Sequence, residues 1–374
     1  MNISPVISVS SFFKYIFSNY NSSENFFKSD DIKLGYARSA IVLAVKSLSS
    51  HYNIKAPVLW VPSLICDTVP LYISNFGIQI RYYQIDNFFN PISQSLNEIC
   101  DDHFFLLVHY NGFVKDIDYL KKIIPSSCHV INDFAHSAPI DYILSDSISF
   151  GSASCFGLRK ILPLYDGAFL RISNNVKLNL CNIDNSTLTR VSKRSIPGRA
   201  FWKMFLQHLI GLLRFNRKYK NFNSRHFITL SNNDIIYSFD PCSKINFLSN
   251  LLVTKSHLYV SQYKRQFNYR LYYSKLRNLD CLDIPFSPSE NSNPWVFLFF
   301  HHNADAIIRK LNNIWNIPAT YFPDVHISTS NFLSDTELTM YSNSIALPVH
   351  QDVSIKEIEF TCNILISILS DCHS

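Results

Sequence analysis

The sequence predicts an α/β protein in which a large, mainly parallel sheet precedes a smaller α+β domain. Short apolar strands alternate with helices over about the first 172 residues, and this alternation is typical of βαβ units. From about residue 240 the pattern changes to longer helical stretches with single strands between them. With 374 residues, 47% of them apolar, the chain can bury a substantial core. We therefore expect a large domain over 1–238 and a small one over 239–374.

The elements of the large domain follow from periodicity and from turn residues. Residues 39–48 place small and apolar side chains on one helical face, which predicts the first helix. Gly77 is expected to cap a second helix, and Asn111-Gly112 to form a turn after a strand. The sequence predicts strands over 58–62, 78–85, 104–109, 129–132, 148–154 and 168–172, and further helices over 70–76 and 116–124.

The small domain is expected to open with a long helical stretch over 248–276. An apolar strand is predicted over 295–300, and helices over 305–314 and 354–369. No internal repeat is visible, so we expect one such unit rather than an array.

Composition argues against several functional classes. Only 8 of the 374 residues are glycine and no G-x-G-x-x-G or Walker sequence occurs, so neither a Rossmann nor a P-loop site is expected. Nine cysteines form no C-x-x-C pair, which argues against a zinc ribbon and fits a reducing compartment. No H-E-x-x-H motif or G-x-S-x-G elbow is present, and we expect no metal site. The first 22 residues lack the positive region of a signal peptide, so we expect a cytoplasmic protein.

The positive charge is concentrated in residues 190–225. This basic segment holds ten Lys/Arg and no Asp or Glu, whereas the rest of the chain has 24 basic and 28 acidic residues. The ordinary interpretation is a solvated surface. A sharper one is a binding site for an anionic substrate, with Arg194 and Arg199 as candidate ligands. Its apolar stripe also fits a helix that contacts a membrane surface. No RNA- or DNA-binding module accompanies it, so nucleic acid is not expected.

Three groups stand where the sheet should bind a ligand. Asp133 directly follows a predicted strand, Lys160 lies 27 residues later, and Arg38-Ser39 opens the first predicted helix. Singly, each has an ordinary explanation as a cap or a solvated charge. Together they match the demands of pyridoxal phosphate (PLP), which needs a lysine amine, a carboxylate for its ring nitrogen and donors for its phosphate.

The chain resembles the DegT/StrS family of PLP-dependent sugar aminotransferases in segments from about residue 34 to 353. "VINDFAHS" (130–137) is similar to the family's cofactor motif, and "CFGLRKILPLYDGAFL" (155–170) to its lysine segment. The resemblance implies the PLP-dependent transferase fold, which is like that of aspartate aminotransferase. Further similar stretches are "LGYARSAIVLAVKSL" (34–48), 58–86, "VHYNGFVKDID" (108–118), "IPATYFPD" (317–324) and "LPVHQDVS" (347–354).

The resemblance also implies roles for single residues. Lys160 would be the Schiff-base lysine that afterwards moves the proton, and Asp133 would pair with the pyridine nitrogen. His136 would reach the phenolic oxygen of the ring, and Arg38 and Ser39 would contact the phosphate.

The sequence departs from the family pattern in three places. Cys66 stands where an aromatic side chain usually covers the ring. Cys155 replaces the phosphate-binding serine, with Ser154 beside it. The glycine-rich stretch after the lysine is reduced to Gly167. We keep Cys66, Ser154 and Cys155 as candidate cofactor contacts.

The resemblance implies a homodimeric aminotransferase. The expected reaction moves an amino group, with glutamate as donor, onto a nucleotide-linked keto-sugar in surface polysaccharide or glycan synthesis. Two alternatives stay open: a non-catalytic binding or scaffold protein with the same fold, and a PLP enzyme acting on amino acids.

Overall fold

The computed structural model describes most of the two predicted domains. The basic segment 190–225, with Arg194 and Arg199, lies outside the described residues, as does the predicted domain boundary at 238. The described residues are 30–145, 150–162, 164, 166–173, 258–322 and 330–370, with the isolated positions 28, 176, 242, 244, 245, 249, 250 and 253.

Seven described strands form one sheet in the order β1-β7-β6-β5-β4-β2-β3. The pairs that join β3, β2, β4, β5 and β6 are parallel, whereas β7 pairs antiparallel with both β6 and β1. The sheet is therefore mainly parallel, as predicted. Its strands are β1 Ile32–Leu34, β2 Val58–Pro62, β3 Gln79–Tyr83, β4 Phe104–Val108, β5 His129–Phe134, β6 Ala153–Gly157 and β7 Ala168–Ile172.

The central strands are buried along almost their whole length because helices cover both faces of the sheet. All five side chains of β4 are buried, as are those of β6. The strand predicted over 148–154 is displaced, since β6 begins at Ala153 and residues 150–152 form bends. Positions 146–149 lie outside the described residues.

The first helix, α1, packs against β6 and β7 and buries ten of its 16 residues. Alanine, the best helix former, recurs on its buried side. Asn53 ends the helix in the left-handed conformation, with φ of 59°. Gly77 does not cap the second helix, which ends at Ser74. The helices of the sheet domain are α1 Ala37–Tyr52, α2 Thr68–Ser74, α3 Ile117–Ile123 and α4 Ile140–Leu144, with short 3-10 turns at Ser93–Leu96 and Tyr110–Gly112.

The C-terminal part of the chain is built on an antiparallel pair of buried strands, with Val296 opposite Pro348. Their partner helices include the long α5, which packs against the last helix. The structure adds a helix and a strand that the sequence did not predict, α7 and β9. The elements are α5 Leu258–Leu276, β8 Val296–Phe300, α6 Ala304–Arg309 continued by a π-helical turn at Lys310–Ile314, a 3-10 turn at Ser330–Phe332, α7 Asp335–Asn343, β9 Ser344–Pro348 and α8 Ile355–Ser370.

The predicted α/β architecture with a second α+β unit is confirmed. Within the described ranges, no helix is both long and apolar enough to cross a bilayer.

Candidate functional site

The candidate site lies at the carboxyl edge of the parallel strands, where the strand order reverses. β2 lies between β3 and β4, so the connection from β2 runs to β3 on one side and the next connection returns to β4 on the other side. Ligands bind open α/β sheets at such switch points. A cavity of about 430 Å³ opens there. Its walls come from residues that follow β2, β4, β5 and β6, from the start of α1 and from the segment before β8.

Asp133 reaches the cavity from the end of β5, where the sheet fixes it on both sides. It lies opposite Val108 of β4 and Cys155 of β6. Its Oδ1 accepts a hydrogen bond of 2.8 Å from the N–H of Ala135. Burial raises the pKa of the carboxyl to about 6, and the backbone hydrogen bond and Lys160 only partly oppose this. A cationic N–H donor in the cavity would offset the burial of this charge.

His136 lines the same cavity and is held as a neutral imidazole. Burial lowers its pKa well below the usual value, and the positive charge of Lys160 adds to the effect. The N–H of Asn111 donates to Nδ1 at 3.2 Å, so Nδ1 is the acceptor nitrogen and the ring proton belongs on Nε2. His136 therefore presents a neutral ring whose donor is Nε2.

Lys160 enters the cavity from the turn after β6. Its Nζ lies 3.8 Å from the centroid of the Trp295 ring, a cation–π contact. The same indole packs 5.2 Å from the ring of His136. Trp295 precedes β8, so the small domain supplies the aromatic surface beside the lysine amine.

A second group of cations lies at the start of α1. The guanidinium of Arg38 lies 5.2 Å from the ring centroid of Tyr36, and that of Arg159 lies 5.8 Å from the same centroid. Burial lowers the pKa of Arg38, and Arg159 adds a repulsive contribution. Two guanidinium groups that approach the same ring at a helix N-terminus favour an anion such as a phosphate.

The structure brings Lys160, Asp133, His136, Arg38 and Cys66 to one cavity wall. It does not bring the other three predicted cofactor contacts there. The hydroxyl of Ser39 is fully buried, 3.3 Å from that of Tyr72. Ser154 is buried with its Oγ 3.5 Å from Nδ2 of Asn132, and Cys155 is buried in the core cluster.

Sequence reasoning missed four aromatic or charged residues that line the cavity. These are Tyr36, Tyr110, Arg159 and Trp295. Only Arg159, as the neighbour of Lys160, carried a local signal. Among the described residues no group of His, Cys, Asp and Glu side chains could hold a metal ion.

The comparisons with known proteins rest on structure. No protein-family model matches the sequence, and no curated protein matches it. A DegT DnrJ EryC1 StrS aminotransferase from Brucella abortus superposes with a TM-score of 0.61 at 15% identity, over 96% of this chain and 90% of the other.

Two further structures give similar values. Sugar aminotransferase CalS13 from Micromonospora echinospora has a TM-score of 0.61 at 13% identity, over 98% and 99% of the chains. NtdA from Bacillus subtilis, solved with bound cofactor PMP, has a TM-score of 0.64 at 15% identity, over 92% and 74%. The chain therefore has the predicted fold, that of the PLP-dependent aminotransferases.

Proposed function

We propose, from the fold that this chain shares with sugar aminotransferases, that it is a PLP-dependent aminotransferase acting on a sugar. One observation carries the proposal. Lys160, Asp133, His136 and Arg38 come from three separate segments of the chain and converge on one cavity at the switch point of the sheet.

The residues present fit the cofactor. The cavity of about 430 Å³ lies within the range of small-molecule sites. It combines a buried carboxylate with an amine and two guanidinium groups, and PLP has a ring cation, an aldehyde and a phosphate to match them. The raised pKa of Asp133, about 6, marks a buried acid that a protonated ring nitrogen would neutralise.

PLP, when bound, withdraws electrons from the carbon that carries the substrate amine. Residues of the chain would bind the cofactor and move the proton. Asp133 would hold the proton on the ring nitrogen through its carboxylate. Nε2 of His136 would donate a hydrogen bond to the ring oxygen. Lys160 would hold the cofactor through Nζ and then carry the proton to and from the substrate carbon.

The charges around α1 support a site for the phosphate. Arg38 lines the cavity at the first turn of this 16-residue helix, and Arg159 reaches the same ring of Tyr36 from the lysine turn. We assign the phosphate to Arg38 and add Arg159 as its second cationic contact. Ser39, Ser154 and Cys155 stay predictions that would require their side chains to turn towards the cavity.

The finer proposal names a nucleotide-linked keto-sugar as acceptor and glutamate as donor, in glycan or surface polysaccharide synthesis. Support comes from the family resemblance and from the ten cations of the basic segment, which suit a diphosphate. We propose Arg194 and Arg199 as substrate contacts, a cytoplasmic homodimer, and a large domain over 1–238 with a small one over 239–374. Peripheral membrane contact through residues 190–225 is the competing role of that segment.

The first experiment asks whether the purified protein holds PLP and exchanges its amino group. We expect visible absorbance from covalently held cofactor, and its loss when glutamate is added. Lys160→Ala should abolish both, whereas Lys55→Ala, at an exposed position, should change neither. Absorbance that survives in the Lys160→Ala protein would contradict the assignment.

The acceptor is identified in the second half of the reaction. Protein charged with an amino group should transfer it to a keto-sugar nucleotide. Transfer only to keto acids would favour the amino acid enzyme, and failure of the wild type to hold PLP would favour the non-catalytic alternative. Arg194→Ala with Arg199→Ala should raise KM for the nucleotide-sugar and leave the cofactor spectrum unchanged. Loss of binding to anionic vesicles at unchanged KM would favour membrane contact.

A further inference from the structure

Arg265 is a buried cation of the small domain that contacts the turn carrying Lys160. It lies in α5 with no exposed surface. Nη2 donates to the main-chain oxygens of Lys160 and Ile161, at 2.7 and 3.0 Å. Nη1 donates to the oxygen of Pro294 at 3.0 Å, and Nε to Oε1 of Gln351 at 3.2 Å. One side chain therefore joins three separated segments.

The chemistry of these contacts points to a positioning role. All four acceptors are uncharged oxygens, so the guanidinium is buried against dipoles rather than a carboxylate. Burial lowers its pKa to about 9, and Asp352 opposes this only in part. Burying a charge in this way is costly, and an apolar side chain would fill the space at lower cost. What an apolar side chain lacks is the planar fork of five donors, which fixes several carbonyls relative to one another.

The segments that Arg265 joins lie on two sides of the lysine side chain. Lys160 and Ile161 form the turn from which the amine extends. Pro294 directly precedes Trp295, whose ring lies 3.8 Å from Nζ of Lys160. Gln351 strengthens the link by donating from Nε2 to the oxygen of Ile161 at 3.3 Å. The guanidinium thus sets the distance between the base of the lysine and the ring beside its tip.

We propose that Arg265 is a positioning residue that places the amine of Lys160 against Trp295 by clamping the carbonyls of Lys160 and Pro294. Its use in catalysis rests on the proposed function, because the placed amine is the one that would hold PLP. The clamp itself is a property of the free protein and is testable without cofactor.

The test uses the full chain with two substitutions and two controls on α5. Arg265→Lys keeps the charge and loses the fork, and Arg265→Met removes every donor. Arg270→Met makes the same chemical change at an exposed position. Tyr269→Phe removes a buried hydroxyl of the same helix that donates to the main-chain oxygen of Phe286 at 2.7 Å, outside the segments that Arg265 joins. It reports the effect of lost stability alone.

The first measurement needs no cofactor. Lys160 is labelled with an amine-directed reagent in the folded protein, and the labelled peptide is quantified by mass spectrometry against an exposed lysine peptide. We expect the labelling rate to change several-fold in both Arg265 variants and to stay at the wild-type value in both controls. An unchanged rate in Arg265→Lys would overturn the proposal, as would an equal change in Tyr269→Phe.

The second measurement adds PLP and traps the covalently held fraction on Lys160 with borohydride. At matched total cofactor, Arg265→Lys should give a lower trapped fraction and a kcat reduced roughly 10-fold or more, because a displacement of about 1 Å can cost on the order of 10²-fold. KM should change less than kcat. If the wild type traps no cofactor while the labelling rates differ as expected, the proposed function fails and the clamp stands. If the wild type traps cofactor and Arg265→Lys is normal in both measurements, the positioning role of Arg265 is rejected and the proposed function is kept.

Discussion

Replacing Asp133 by asparagine should stabilise the cofactor-free protein while it inactivates the loaded one. Burial raises the pKa of the carboxyl to about 6, whereas aspartate in an unfolded chain titrates near ~3.9. Ionisation at pH 7 therefore costs the folded chain about 3 kcal/mol, since each pH unit corresponds to about 1.36 kcal/mol. Asparagine carries no charge and still accepts the N–H of Ala135. The weaker hydrogen bond offsets part of the gain, so we expect a net stabilisation of about 1–3 kcal/mol.

The pH dependence follows from the direction of the shift. Because the folded pKa lies above the unfolded one, the penalty is fully present above pH 6 and disappears as the pH falls through 6 towards about 4. Urea unfolding at pH 7.5, 6 and 5 should show a stability difference that is constant above pH 6 and narrows below it. Asp280→Asn, at an exposed position, is the matched control and should show no such trend.

With saturating PLP, the wild type should become more stable than the Asp133→Asn variant. The wild type gains stability from cofactor that its carboxylate binds, whereas the asparagine variant gains less. Its turnover should fall on the order of 10²–10⁴ because the ring nitrogen loses its counter-charge. A variant that is less stable than the wild type without cofactor at pH 7 would refute the electrostatic reasoning.

Three further predictions concern other buried charges and the aromatic wall. Arg171 binds Asp31 through two hydrogen bonds of 2.8 and 2.7 Å in a buried pair. Arg171→Met should destabilise by about 3–5 kcal/mol in urea unfolding, and adding Asp31→Leu should recover part of the loss. Trp295→Leu removes the contact with Lys160 and should lower kcat about 10-fold, given a cation–π energy of ~0.5–2 kcal/mol; normal turnover would contradict this. Burial lowers the pKa of Lys115 to about 7, so the unfolded chain binds more protons above that pH. Stability relative to Lys115→Met should therefore rise from pH 7 to 9, and a flat profile would contradict it.

The sequence predicted those site residues that lie beside a recognisable element end. Asp133 follows its strand directly, and Arg38 opens its helix, so chain position alone placed both at the ligand edge. Ser39 does not line the cavity beside Arg38, because successive helical residues point about 100° apart. Ser154 and Cys155 could not both reach the cavity, since neighbouring strand residues face opposite sides of the sheet. Both side chains are buried, and neither lines the cavity.

The remaining site residues required the tertiary structure. Trp295 lies 135 positions after Lys160. Trp295 precedes β8 and Lys160 lies in the turn after β6, and no sequence periodicity connects two such positions. Arg265 sits in α5 near the exposed Lys264 and Arg270, so the sequence offers no sign that it alone is buried. The strand predicted over 148–154 is displaced from β6 for a similar reason. Serines at 152 and 154 alternate with small residues both before and after the first residue of β6, so the local pattern does not mark where the strand begins.

The two cysteines that depart from the family pattern are compatible with a cofactor aldehyde in the cavity. Thiolates, not thiols, are the nucleophiles of cysteine. Burial raises the pKa of Cys66 and raises that of Cys155 well above the usual value, so both stay protonated at neutral pH. The aromatic surface that Cys66 lacks is present elsewhere in the same wall, in Tyr36, Tyr110 and Trp295. Cys66 thus contributes a small neutral surface beside Lys160, and the amine of Lys160 remains the nucleophile available to the aldehyde.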